Sequence, residues 1–288
     1  MPLQQSDQKL LAPKELTGSV GLIAALPMYD WPEVRTETDA QWEQLRDDLW
    51  FRGIDAPERL ARTRKDLPSI PGTHRDAGGK VIASDPANLP ASEFDPSSLW
   101  LHPELLLAQA CWGPIERGLA DHIQIVGQPG YDGIEGGEGP RYSSAIIMRG
   151  GGANAMPPPL DGSADIPLDL LRGRRFSYND VDSMSGILAL ASDLKGMGET
   201  LDIFSHRKQS GSHRGSIKAV AESVADLAAI DCKTFALARR FEPAARDVTV
   251  VGWTARRKGL PFITSRHTPI DVVTELRQAL IGLGWCLS

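Results

Sequence analysis

Cysteine is scarce in this chain of 288 residues. Cys111, Cys232 and Cys286 stand far apart, odd in number, with no CxxC or other metal-like spacing. That pattern excludes a disulfide framework and argues against a zinc site, so three buried structural thiols and no metal are expected. Basic excess is lacking too. A formal net charge of −6 leaves no basic face of the kind nucleic-acid binders present. No apolar run approaches the roughly 18 residues of a membrane helix, which argues against direct insertion into a bilayer. The opening Met1–Leu10 has no basic patch followed by an apolar stretch, so no secretory leader is expected in the chain as it stands. A leader missing from this sequence and a cytoplasmic location are the two explanations left open. Gly130–Gly139 is glycine-rich but fits neither GxGxxG nor a P-loop, and no cofactor is expected.

What is present is ordinary globular material: 41% hydrophobic and 24% charged residues, in a chain long enough for two lobes. Apolar strand-like runs occur at Ser19–Leu26, Leu105–Gln109, His122–Gly127, Arg141–Arg149, Arg174–Tyr178, Leu201–Phe204, Asp226–Asp231, Val248–Trp253 and Pro261–Thr264. Helical patterns lie between many of them, at Thr38–Trp50, Gly186–Gly196, Ile217–Val224, Cys232–Arg240 and Pro269–Leu283, with shorter turns at Pro57–Leu60 and Pro167–Gly173. The alternation predicts an α/β fold with parallel sheets. Residues 1–17 read as a loose tail, and Pro68–Ser98 as a long surface excursion. The chain is expected to leave lobe one near residue 148 and return near 248, so that 18–148 with 248–288 form one lobe and 149–247 the other. A double crossing of this kind leaves a cleft between lobes.

Candidate ligand residues sit where strands end and helices begin. Tyr178-Asn-Asp-Val-Asp-Ser-Met-Ser-Gly186 runs into an apolar helix, with Asp182, Ser183 and Ser185 as possible N-caps. A helix start offers unpaired N–H groups and partial positive charge, a ready seat for an oxyanion. Ser183 and Ser185 add hydroxyls, and Gly186 would let an outside group approach the backbone. Ser212-His213 opens a second helix in the same lobe, and Asp231 ends a strand, placed to meet a ligand amine or orient His213. Tyr29, Gln109 and Trp112 follow strands of lobe one, where open α/β sheets place their ligand crevice. Arg141 and Tyr142 are further donors. Each residue also has a plainer role: caps for Ser183, Ser185, His213 and Asp231, a surface ion pair for Arg141, a loop anchor for Tyr29. An acyl-transfer triad of serine, His213 and Asp231 is set aside because the serines lie in S-M-S-G, not in a G-x-S-x-G elbow.

Ala25–Asp30, Leu106–Cys111, Arg141–Ser144, Asp182–Gly186, Gly211–His213 and Ala228–Asp231 together make the sequence resemble the phosphate/phosphite/phosphonate substrate-binding proteins of ABC transporters. The resemblance runs from about Val20 to Thr264. It implies the two-lobed type 2 periplasmic-binding-protein fold, hinge closure on a small oxyanion, no catalysis, an ABC permease as partner, and a periplasmic location. In that family a Ser-Thr-Ser helix entry, a tyrosine of the first lobe and a histidine grip the oxyanion. They would match Ser183, Ser185, Tyr29 and His213, with Asp231 matching an aspartate that meets the ligand's amino end in some members. Met184 replaces the middle threonine and removes a hydroxyl, which leaves a smaller or less charged ligand open. A cytoplasmic enzyme on the same fold, of the menaquinone- or thiamine-pathway kind, and a ligand-binding sensor subunit are the rival readings.

Overall fold

The computed structural model describes residues 21–70, 74–75, 81–83, 85–89, 94–151 and 155–287. The tail expected at 1–17, the start of the first strand run, and parts of the 68–98 excursion lie outside the described residues.

Two sheets organise the molecule. The first has β1 (Ile23–Ala25) parallel to β2 (Leu105–Gln109), with β3 (Ile123–Gly127) at the far edge. The strand order of the second sheet places β4 (Ser144–Arg149) next to last, with β5 (Arg175–Tyr178), β6 (His206–Gln209), β7 (Leu227–Asp231) and β8 (Val248–Trp253) around it as β6-β5-β7-β4-β8. β9 (Phe262–Ser265) returns to the first sheet and lies antiparallel between β2 and β3. Continuous apolar runs such as Leu105-Leu-Leu-Ala and Leu227-Ala-Ala-Ile are buried on both faces, as central strands covered by helices require.

In lobe one, α1 (Arg35–Phe51) turns Trp42, Leu45 and Leu49 inward, and α7 (Ile270–Gly282) packs beside it with Val273, Leu276 and Leu280. Two shorter helices, α2 (Pro96–Trp100) and α3 (Trp112–Glu116), flank the mouth of the same lobe. Lobe two carries α4 (Ala189–Gly196), α5 (His213–Ala221) and α6 (Cys232–Phe241). A π-helical turn at Met184–Leu188 leads into α4. Within the matrix of this lobe, Phe176, Leu190, Leu194 and Leu227 fill one face of the sheet, and Ile217, Val220, Ile230 and Phe235 fill the other.

Several expectations need correction. Ser144–Arg149 and Val248–Trp253 do not belong to the first lobe's sheet. They pair antiparallel with each other in the second, Val250 opposite Ile147, and the segments before Ser144 and after Trp253 connect the two sheets. The crossing segments themselves pair: Arg257–Lys258 lies antiparallel to Arg141–Tyr142, which pairs in turn with Gly137–Glu138. The sheets are therefore mixed, because a strand that re-enters from a crossing runs against its neighbours. Leu201–Ile203 is a 3-10 turn, and the strand follows it at His206–Gln209. Pro57–Leu60 forms no helix. Of the Pro68–Ser98 excursion, the end is not all surface: Asp95 caps α2, Pro96 and Ser97 are exposed, and Ser98 is fully buried.

Candidate functional site

Three helices of lobe two begin at one wall of a cleft of about 1020 Å³. Each start is capped by a side chain on that wall. Ser183 Oγ accepts the Gly186 N–H at 3.1 Å, Ser212 Oγ accepts the Gly215 N–H at 3.0 Å, and Asp231 Oδ1 accepts the Thr234 N–H at 2.8 Å. The plain capping role and the cleft-lining position coincide at these residues, since a cap stands where the chain turns out of a strand end. Three converging helix starts give the wall a positive potential, and the Asp231 carboxylate answers part of it.

His213 stands at the centre. Its Nε2 lies 2.9 Å from Ser185 Oγ and 3.6 Å from Asp231 Oδ2. Burial pushes the imidazole pKa below its ordinary value, with Asp231 and the Ala229 carbonyl acting the other way. The ring is therefore neutral at neutral pH. With the ring proton on Nε2, that nitrogen donates to Ser185 Oγ and leaves the serine O–H for a ligand. A hydrolytic triad needs the carboxylate on the opposite ring nitrogen from the serine, whereas here both crowd the same one.

Across the cleft, Tyr29 follows β1. Its hydroxyl lies 3.3 Å from the Tyr131 hydroxyl, which accepts the Leu260 N–H at 2.9 Å. Burial, reinforced by Asp231, raises the Tyr29 pKa far above the phenol value and keeps the group a neutral donor. Lys233, in the first turn of α6, holds its Nζ 4.5 Å from the centre of the Tyr29 ring. Burial lowers its pKa, and Asp231 opposes that shift.

Of the residues singled out from sequence, Tyr29, Ser183, Ser185, His213 and Asp231 line the cleft together. Four others do not. Gln109 is buried within β2, and its carbonyl accepts the Trp100 indole N–H at 2.9 Å. Tyr142 is buried behind Ser185, whose side chain its hydroxyl meets, and stacks on Tyr131 with centroids 5.3 Å apart. Met184 gives its N–H to Cys111 Sγ at 3.3 Å and lines a second pocket with Trp112 and Arg141, on the far side of the helix start. Gly186 presents no open backbone to a ligand. A Cβ there would overlap the Asn179 side chain, which occupies that space.

Other residues of the site carried no signal in the sequence. Tyr131 sits in the glycine-rich Gly130–Gly139 segment, and it is almost fully buried. A Cβ on Gly137 or Gly259 would strike it, so the glycines there admit an aromatic ring. Cys111 is only half-buried and lines the cleft, unlike Cys232 and Cys286. Lys233 reaches the site only through its packing on the Tyr29 ring. Among the described residues no group of His, Cys, Asp and Glu is arranged to hold a metal, and no helix is long and apolar enough to cross a membrane.

Residues 122–285, more than half the chain, match the family described as the periplasmic substrate-binding protein of phosphonate ABC transporters. The chain belongs to this family. It is thus a solute-binding protein of a transport system and not an enzyme. The matched span includes Ser183, Ser185, His213 and Asp231 and leaves out Tyr29. Solved structures of the same two-lobed architecture include PhnD1 from Prochlorococcus marinus in complex with methylphosphonate, at TM-score 0.56 and 13% identity over 90% of this chain and 83% of that one. PA3383 from Pseudomonas aeruginosa, a binding protein component of an ABC phosphonate transporter, aligns at TM-score 0.56 and 16% identity over 92% and 80%. XAC2383 from Xanthomonas citri bound to chloride ion aligns at TM-score 0.55 and 15% identity over 92% and 84%. At such identities the likeness establishes the fold. No curated protein matches the sequence.

Proposed function

We propose that this binding protein captures a phosphonate- or phosphate-like oxyanion between its lobes and presents the closed form to an ABC permease from the periplasmic side of the membrane. In this reading the lobes divide at the crossing segments around 128–143 and 254–261. Ser183 and Ser185 donate hydroxyls from the helix start, Tyr29 donates from the opposite lobe, and His213 fixes the Ser185 hydroxyl. Asp231 meets a cationic group of the ligand or, without one, limits the negative charge the seat accepts.

The observation that carries the reading is the 2.9 Å contact between Ser185 and His213. It joins the starts of two helices into a single polar wall facing Tyr29, a pattern of neutral donors without a nucleophile-base-acid line. Hydrogen bonds to a charged group are worth about 1.5–3 kcal/mol each, so three or four account for specific capture. The test is a thermal-unfolding screen with phosphate, phosphite, methylphosphonate, aminoethylphosphonate and sulfate. A ligand at 100 times its Kd raises stability by about 2.7 kcal/mol. Ser185→Ala, with unchanged circular dichroism, is expected to weaken that ligand about 10- to 100-fold. An upward shift with none of these anions would remove the oxyanion reading.

A further inference from the structure

We propose that the ligand carries, beyond its oxyanion head, an apolar organic group, best a flat aromatic one, lying along the lobe-one wall of the cleft. The proposal rests on the oxyanion reading above and adds the ligand's chemical class.

Size is the first observation. The cleft's 1020 Å³ stands at the top of the range of about 300–1,000 Å³ typical of pockets for drug-sized ligands. A one-carbon phosphonate would leave most of it empty. The proposed polar seat, Tyr29, Ser183, Ser185, His213 and Asp231, makes up only part of the lining.

The rest of the lobe-one wall is the second. Phe94, Trp100, Leu101 and Leu119 give it an apolar stretch, from the two ends of α2 and the turn after α3, among polar neighbours that include Asp95, Arg117 and His122. Phe94 and Leu101 are half-buried, packed by one side against the core that holds Leu99, with surface left on the cleft. Trp100 is held in place by its 2.9 Å bond to the Gln109 carbonyl, so this wall is fixed before a ligand arrives.

Ligand chemistry joins the two. If the helix starts of lobe two hold three oxygens of a tetrahedral phosphorus, its fourth bond points away from them into the rest of the cleft. Asp231 disfavours a second anionic group near the seat. What remains complementary to Phe94, Trp100 and Leu101 is apolar surface.

Isothermal titration of the full chain with methylphosphonate and phenylphosphonate tests this, on wild type, Phe94→Ser and Leu101→Asn. Both substitutions are at half-buried positions, and thermal unfolding checks their folding. Phenylphosphonate is expected to bind at least about tenfold more tightly than methylphosphonate, the scale that apolar pocket contacts give. That ratio is expected to fall toward one in both variants. Methylphosphonate binding equal to or tighter than phenylphosphonate would overturn the inference and leave the oxyanion reading intact. A phenyl preference undiminished in both variants would overturn the placement on this wall. Binding of neither probe would overturn the inference, while the oxyanion reading stands or falls with the anion screen above.

Discussion

His213 is held neutral by its surroundings, and that gives it a signature in pH. Its folded pKa lies below the ordinary 6.5, chiefly through burial. Above that value both folded and unfolded chains carry a neutral ring, and the residue makes no pH-dependent contribution. As pH falls through 6.5 the unfolded chain takes up the proton while the folded one resists, so stability declines until the depressed folded value is passed. Glu33 and Glu242 are shifted in the same direction but from a lower starting point: both carboxyl groups are held below their ordinary 4.5, Glu33 mainly by its bond to Arg214, Glu242 by bonds to Arg214 and the Ala244 N–H against burial. Their stabilisation is present above 4.5 and lost only below it, outside the window of His213. The melting temperature of the wild type is therefore expected to drop from pH 7 to 5.5, and that of His213→Asn to drop less. Parallel curves for the two proteins would show that the buried imidazole is not the cause. At this scale the sequence was legible where chemistry is local. Ser183, Ser185, His213 and Asp231 stand beside their own helix starts, and capping reads directly from residue type and position. Tyr131 and Lys233 were not legible, since they reach the site only through packing with Tyr29.

The helix start at Ser183 is shaped by a neighbour that no local rule supplies. The Ser183 carbonyl accepts from both the Ile187 N–H at 3.3 Å and the Leu188 N–H at 3.1 Å, and the turn widens into π geometry. Asn179, just past the end of β5, lays its side chain against Gly186, and its buried Oδ1 has no hydrogen-bond partner. Overpacking such a site costs about 1–3 kcal/mol. Gly186→Ala is thus expected to lower the unfolding free energy read from urea titration by that amount, and Asn179→Ala in the same chain to recover much of it. Additive effects of the two changes would mean that the glycine is required by the backbone and not by Asn179. The same limit explains the element-level errors. Individual strands and helices followed from apolar runs and caps, but the sheet to which Val248–Trp253 belongs depends on pairing with Ser144–Arg149, about a hundred residues away. Nothing in either run names its partner.

Across the whole molecule the lobes meet at specific polar contacts besides the packing around Tyr29. Cys111 receives the Met184 N–H, and Arg117 pairs with Asp182. Arg214 of lobe two grips Glu33 of lobe one at 2.9 Å and lies over the Trp31 ring at 4.6 Å. These ion pairs are partly exposed, and pairs of that kind contribute about 0–1 kcal/mol, so losing one shifts the balance of open and closed forms only slightly. Gly113 is different. It packs directly on the Asp182 carbonyl and the Leu188 side chain, and any Cβ at that position would overlap backbone of the other lobe. Gly113→Val therefore places a steric stop between the lobes. The cores around Leu45 and around Leu190 are left as they were. If capture works by closure, a ligand that favours the closed form now acts against that stop, and its affinity falls by whatever closure free energy is lost. The expected result is a far-ultraviolet spectrum like that of the wild type, a larger radius of gyration by small-angle scattering that does not shrink on adding ligand, and a Kd raised at least about tenfold. Wild-type compaction and affinity in Gly113→Val would mean that the contact between Gly113 and Asp182 is not part of the ligand-bound form, and that closure proceeds about a different axis.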